Sequence, residues 1–240
     1  MKQTAILIFL LGGILSEGRA QLQKNNMYVG GNVNFFQDNF NRKDTASSFN
    51  SGESVNKNNS FSGTLNYGYL IRTNFAAGAL FRYNFSEQFY STDNKTSSSL
   101  WPKENIGKYH GYALGAFARK YWPLGESMFA FYLQTSVSYG LGTYTSRQAF
   151  LENNSGEYTY RNTGRKEEIL TLKMTPGLVY FINDHFGAEC SMGNITYTST
   201  NARYFYEEQQ TGESNGSNLR ANFSVSAFYI GLNYYFGRKF

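Results

Sequence analysis

The sequence has few of the residues on which most enzymes and metalloproteins depend. Its 240 residues include two histidines and one cysteine, so Cys190 has no internal disulfide partner. Charges are dispersed without a basic block, although the formal net charge is +5, and this argues against nucleic-acid binding. Neither a cluster with metal-ligand spacing nor a glycine-rich loop between a strand and a helix is present. We therefore expect neither a metal nor another cofactor.

Long apolar runs are missing beyond the first twenty residues, which excludes a helical membrane protein. Residues 1–20 read as a signal peptide, with Lys2 as the positive region and Thr4 to Leu15 as the apolar region. Small residues at the two positions that determine cleavage, Gly18 and Ala20, place the cleavage site after Ala20. An uncleaved membrane anchor is the alternative, but the apolar run falls short of the roughly 20 residues needed to span a bilayer. Residues 21–240 are expected to form one domain.

Aromatic residues are abundant, with 20 tyrosines and 21 phenylalanines, and prolines number only three. The C-terminal stretch alternates between a broad apolar face and a smaller, more polar face. Side chains of a β-strand point alternately to opposite faces. In a protein that carries a signal peptide, a repeated pattern of this kind favours contact of the apolar face with lipid. The apolar parity consists of Phe228, Ile230, Leu232, Tyr234 and Phe236, with Phe240 after Arg238.

About eight alternating segments follow one another, joined by connections that switch between long and short. Long and short connections in turn are typical of an antiparallel up-and-down barrel whose long loops lie on one rim. The sequence thus predicts an all-β, eight-stranded transmembrane β-barrel. The predicted strands are Met27–Gln37, Ser60–Ile71, Phe75–Ser86, Tyr109–Trp122, Met128–Thr143, Glu167–Ile182, Phe186–Thr198 and a closing strand from Arg220.

The long connections are predicted at Asp38–Asn59, Glu87–Lys108, Tyr144–Lys166 and Ser199–Leu219. Their tyrosines and phenylalanines, interspersed with charge, suggest an adhesive surface. An equally good interpretation is that the strands continue above the membrane, since Arg203 to Glu207 itself alternates. Pro176 is an objection to the sixth strand, because a closed barrel has no edge to accommodate a missing N–H. Gly177 beside it suggests a bulge.

The signal peptide, the segment order and the aromatic C-terminus resemble the small outer-membrane β-barrels of Gram-negative bacteria, of the OmpA/OmpX-like and opacity type. Gly231 to Phe236 looks like the closing strand of that family, without a following periplasmic domain. The resemblance implies a monomer in the bacterial outer membrane, with membrane lipid and the outer-membrane insertion machinery as partners. It also implies an assembly signal formed by Tyr234, Phe236 and Phe240.

Mid-strand polar residues predict what fills the lumen. Arginine or lysine facing lipid at mid-membrane costs about 2–4 kcal/mol, so these charges should face inward and pair. Glu189 is the evident mid-strand counter-ion. A hydrogen-bonded plug is favoured over a gated polar path, because eight strands leave an interior that side chains just fill. The predicted lumen network consists of Arg82, Arg119, Gln134, Lys173 and Glu189.

His110 is the sole candidate for a catalytic base on the outer rim, and His185 falls in a predicted turn at the opposite rim. The His-x-Ser pair of a lipid deacylase and the paired-Asp or Asp-x-His arrangements of outer-membrane proteases are missing, so no enzyme is predicted. We expect a structural or surface-interaction role, with an extracellular ligand bound through the loops. The alternatives are a small pore or transport accessory, a surface lipid hydrolase using His110, and a soluble periplasmic sandwich.

Overall fold

Ten antiparallel β-strands form the wall of the molecule. The structure is a computed structural model that describes residues 22–44, 52–92, 104–125, 127–151, 158–223 and 228–236. The predicted signal peptide, residues 1–20, lies outside this range. The strands are β1 (Met27–Asp44), β2 (Gly52–Arg72), β3 (Phe75–Thr92), β4 (Glu104–Pro123), β5 (Phe129–Leu151), β6 (Tyr158–Phe181), β7 (Phe186–Met192), β8 (Asn194–Tyr206), β9 (Gln209–Asn222) and β10 (Phe228–Phe236).

The wall closes into a barrel. Each strand from β1 to β6 pairs with the next, and β10 then links β1 to β7, which returns to β6. Following the register around the wall from Val33 leads to Glu168 of β6 in one direction and to Leu178 in the other. This stagger of ten residues is the tilt that closure requires.

The ten strands make eight wall segments, because β7 continues into β8 and β9 precedes β10 along the same part of the wall. The predicted eight-stranded up-and-down barrel is therefore confirmed. Short turns at Thr73–Asn74 and Asn183–His185 lie at one end, which we call the lower end. Among the described residues, no helix is long and apolar enough to cross a membrane.

Gly193 divides the seventh segment, so the single alternating strand Phe186–Thr198 predicted from the sequence is wrong. Glu189 and Ser191 face inward below the glycine, whereas Thr196 and its even-numbered neighbours face inward above it. Gly193 has a φ of +77°, a conformation that favours glycine. The extra residue in this strand is a β-bulge that reverses the parity of the side chains.

Pro176 lies opposite this bulge. β6 pairs with β7 from Gly177 downward and with β8 from Met174 upward, and the two residues between belong to neither ladder. A residue without an N–H is tolerated where the neighbouring strand bulges. The proline therefore marks the place where the partner of β6 changes.

Most of the predicted long loops are strand, as the alternative interpretation expected. β1 extends to Asp44 and β2 begins at Gly52, and the other long connections shorten in the same way. The predicted loop Ser199–Leu219 is wrong: β8 and β9 form a hairpin across Glu207 and Glu208. Positive φ values of 47° and 69° at these two residues are typical of a type I′ turn. In the described residues, the closing segment comprises β9, which ends at Asn222, and β10, which begins at Phe228.

The outward parity is apolar and exposed, as predicted. Val33, Phe35, Leu114, Ile230 and Leu232 expose between 57% and 68% of their surface, although each lies in the middle of a paired strand. Higher on the same outer face, charge begins at Glu168, which pairs with Leu141, and continues at Lys166, which pairs with Thr143. The exterior thus has an apolar belt below a polar band.

Candidate functional site in the barrel interior

The lower half of the barrel is filled by apolar and aromatic side chains. Tyr28 lies at the centre, with its ring centroid 5.4 Å from that of Tyr235 and 6.2 Å from that of Phe117. Tyr121 and Tyr132 pack beside them with centroids 6.1 Å apart. We call this cluster the lower core; it comprises Leu22, Tyr28, Leu70, Ala76, Leu80, Phe117, Tyr121, Ala130, Tyr132, Val179, Phe181 and Tyr235.

Arg119 and Glu189 form a buried ion pair on top of the lower core. Arg119 Nη1 donates to Glu189 Oε2 at 2.7 Å, and each side chain exposes only 1% of its surface. Arg119 Nε donates to Gln134 Oε1 at 2.7 Å, and Asn233 Nδ2 donates to Glu189 Oε2 at 2.8 Å. The guanidinium carbon lies 4.3 Å from the centroid of the Tyr132 ring. A buried pair retains its charges only with such additional partners.

Arg82 and Lys173, the other two predicted lumen charges, lie higher and are not joined to this pair. Lys173 Nζ stands 4.9 Å from the centroid of the Tyr229 ring. Arg82 and Lys173 both line a polar cavity of about 650 Å³, into which Arg220 also projects. We call it the cation cavity. Its remaining polar lining comes from Ser62, Thr64, Asn84, Thr171, Asn194, Thr196, Thr198, Thr200, Ser217, Asn218, Asn222 and Tyr229.

A narrow space joins the two regions. It measures about 20 Å³ and is lined by Arg82, Arg119, Gln134 and Lys173 among others. A volume of this size admits about one water molecule. Four of the five predicted lumen residues line this space, and the fifth, Glu189, is buried against Arg119.

The lower core is what sequence reasoning missed. Tyr28, Tyr121, Tyr132 and Tyr235 stand on the inward parity near the lower ends of their strands. The interpretation of the lumen considered only polar residues of that parity. The signal available in the sequence was the recurrence of aromatic residues on the inward parity at strand ends. The lower half of the lumen is apolar and aromatic, and not the polar interior that was predicted.

His110, the candidate base, lies on the exposed outer face. Its Nδ1 is 3.1 Å from the Tyr83 hydroxyl, and its ring centroid is 5.0 Å from that of Phe85. Neither neighbour is a carboxylate that orients a catalytic histidine. At the lower end, the ring of His185 stacks on Tyr234, and its Nδ1 lies 3.2 Å from the Tyr235 carbonyl oxygen. In the part of the chain that the structure describes, no group of three His, Cys, Asp or Glu side chains is placed to hold a metal.

Two residues of the predicted assembly signal are described. Tyr234 and Phe236 face outward on β10, and their ring centroids are 4.8 Å apart in an edge-on arrangement. Both lie at the lower rim, where Met27 of β1 pairs with Phe236. Phe240 lies outside the described residues.

No family model matches the chain, and no curated protein matches it. Among solved structures, the chain is similar to Neisserial surface protein A (NspA), with 13% identity and a TM-score of 0.38, covering 87% of this chain and 96% of that one. It is also similar to Ail, the attachment invasion locus protein of Yersinia pestis, with 12% identity and a TM-score of 0.37, covering 89% and 100%. Both scores are low, and the fold described above rests on its own hydrogen-bond registers.

Below Gly193 the ladders run without a break around the wall, and closed barrels and helices are the structures that cross bilayers. The exterior of this barrel carries an apolar belt of large side chains whose exposure to water would be unfavourable. These two observations define the chain as a transmembrane β-barrel of the outer-membrane type. A soluble periplasmic sandwich would have a core between two stacked sheets. The described strands instead form one sheet that closes on itself.

Proposed function

We propose that the protein is a non-catalytic, non-conducting outer-membrane barrel that presents its upper wall to the surrounding medium for surface interaction. The observation that carries this proposal is the lower core, which fills the lower half of the lumen with large, fully buried side chains. A bore filled in this way favours an anchoring role over a pore or transport accessory.

The upper wall supports the interaction role. Strands continue well above the apolar belt and carry exposed aromatic residues beside cations. The guanidinium of Arg147 lies 4.2 Å from the ring centroid of Tyr160, and the ammonium of Lys166 lies 5.3 Å from that of Phe205. Aromatic and arginine side chains are the residues enriched where proteins bind partners. The β8–β9 hairpin adds an unpaired edge, since the ladder of β9 is with β8 alone in the described residues.

Excision of the upper hairpin tests the proposal. Residues 202–214 are replaced by Asn-Gly, which joins the paired residues Asn201 and Asn215 through a two-residue turn. Cells of a Gram-negative host that display the full-length chain should be retained on mucin- or gelatin-coated surfaces. We expect the shortened variant to lose this retention while it still shows heat-modifiable migration, the sign of a folded barrel.

Planar-bilayer recording of the purified full-length protein supplies the second measurement. We expect no stepwise conductance, because the described lumen is closed by the lower core. Discrete conductance steps would contradict the non-conducting assignment. Retention that is equal for the full-length and shortened chains would contradict the role of the upper wall.

A further inference from the structure

We propose that the cation cavity is a binding site for a small phosphate-bearing anion. Lys173, Thr196 and Arg220 stand in one register row across β6, β8 and β9, all facing inward. Arg82 reaches the same cavity from β3. Three cations, two from one register row and a third from β3, thus reach one water-accessible space.

Among the described residues, no carboxylate pairs with these cations. Glu189 is held by Arg119 and Asn233 below the cavity, and the inward Glu167 above it pairs with Arg165. No Asp or Glu is among the described residues that line the cavity.

Arg82 and Lys173 are partly buried, whereas Arg220 is exposed. Like charges brought together in one cavity repel one another unless a counter-ion joins them. An anion from solution would supply that counter-ion.

The lining matches phosphate in chemistry as well as in charge. Arginine guanidinium groups bind phosphate oxygens through two parallel hydrogen bonds, and lysine binds them as a point charge. The hydroxyls of Ser62, Thr64 and Thr198 and the amides of Asn84 and Asn218 offer further donors and acceptors. A cavity of about 650 Å³ is larger than inorganic phosphate and is suited to a phosphate carried on a hydroxyl-rich group such as a sugar.

Titration calorimetry on the purified full-length barrel in a nonionic detergent tests the site, with inorganic phosphate and glucose 6-phosphate as probes. The double variant Arg82→Gln/Lys173→Gln should bind at least about tenfold more weakly than the wild type, since two charged hydrogen bonds are lost. Lys108→Gln is the matched control, because Lys108 pairs with Glu87 on the outer face at 2.9 Å. Wild-type protein that binds neither probe would overturn the proposal, as would equal weakening by Lys108→Gln.

A second variant guards against a folding defect of the first. Thr196→Glu introduces a carboxylate between Lys173 and Arg220, in register with both. This internal counter-ion should abolish binding of both probes while heat-modifiable migration is retained. Thr196→Glu protein that binds as tightly as the wild type would overturn the proposal.

The source of the phosphate is distinguished by vesicles. The wild-type barrel is reconstituted into phosphatidylcholine alone or with phosphatidylglycerol, and inorganic phosphate is added to each. If phosphatidylglycerol raises the thermal stability of the wild type and Arg82→Gln/Lys173→Gln abolishes this rise, the ligand is a lipid headgroup. If inorganic phosphate raises the thermal stability in both kinds of vesicle, the ligand is soluble. Stabilisation by neither contradicts the site. Because retention on surfaces does not enter this experiment, its failure is separate from failure of the proposed function.

Discussion

The two halves of the lumen share strands β1 to β6 and yet differ in almost every property. β6 contributes Val179 and Phe181 to the lower core, and Thr171 and Lys173 to the cation cavity. In the described residues, β10 closes the lower half onto β1, whereas β9 in the upper half pairs with β8 alone. Large aromatic side chains fill the bore in one, whereas serine, threonine and asparagine leave a cavity in the other. Side-chain volume on the inward parity therefore decides whether an eight-stranded barrel is solid or hollow.

Charge differs between the halves as well. Below, Arg119 and Glu189 balance each other in a dry surrounding with further hydrogen bonds from Gln134 and Asn233. Above, Arg82, Lys173 and Arg220 share a water-accessible space. Changes of charge should therefore be far more disruptive below the junction than above it.

Glu189→Gln should have the largest effect. It leaves Arg119 buried without a counter-charge, and breaking a buried pair in this way costs about 3–5 kcal/mol. We expect that loss in the free energy of unfolding, measured by urea titration in lipid vesicles. Arg119→Met/Glu189→Leu should recover most of it, because neither buried charge remains.

Glu87→Gln is the control for that prediction, since it breaks the exposed pair with Lys108 on the outer face. Its cost should stay below about 1 kcal/mol. A cost for Glu189→Gln no larger than that of Glu87→Gln would mean that the lower half is not dry.

Glycine substitution compares packing in the two halves. A Cβ at Gly177 would come within 2.3 Å of the Tyr132 ring and 2.7 Å of the Cys190 carbonyl oxygen. Gly177→Ala should therefore cost about 1–3 kcal/mol, as overpacking does. A Cβ at Gly216, in the wall of the cation cavity, has nothing within 4 Å. Gly216→Ala should be neutral or should stabilise by up to about 1 kcal/mol, because glycine is unfavourable within a strand.

The same urea titration measures both glycine variants. Equal costs at the two positions would show that the upper half is packed as tightly as the lower core.

The smallest effect is expected at the tip of the β8–β9 hairpin. Glu207 and Glu208 both have positive φ, where Asn-Gly is preferred in a type I′ turn. Glu207→Asn/Glu208→Gly should increase amide hydrogen-exchange protection in β8 and β9 by about tenfold or less. Protection in β4 and β5 should not change, and an equal rise there would show that the hairpin and the lower barrel unfold as one unit.

Alternation was sufficient to predict the barrel because half of each strand faces lipid. In β10, for example, the outward residues Ile230 and Leu232 were assigned correctly from period-two spacing alone. The inward position of Arg119 and Glu189 followed from the cost of exposing charge to lipid. The sequence did not show which inward cation would pair with Glu189, because the pairing depends on the stagger between strands that are distant in the chain.

The remaining errors have local causes. Polar composition was taken to mean loop at Ser199–Leu219, but strands above the apolar belt have water on their outer face and need no apolar parity. The β-bulge at Gly193 could not be predicted from alternation, because a glycine within an alternating segment does not reveal whether its φ is positive.

Gly193 absorbs one extra residue, so that the upper hairpin keeps the same outward side as the wall below it. Below it, the barrel shows Cys190 to the outside, and above it Ile195 and Tyr197 occupy that side, because one additional residue has shifted the count. From Cys190 to Ile195 the chain takes one residue step more than their β6 partners take from Leu178 to Met174. Deletion of Gly193 would remove this extra step and leave Ile195 on the outer face and the threonines in the lumen. The glycine therefore allows an odd residue count to coexist with a continuous lipid-facing surface.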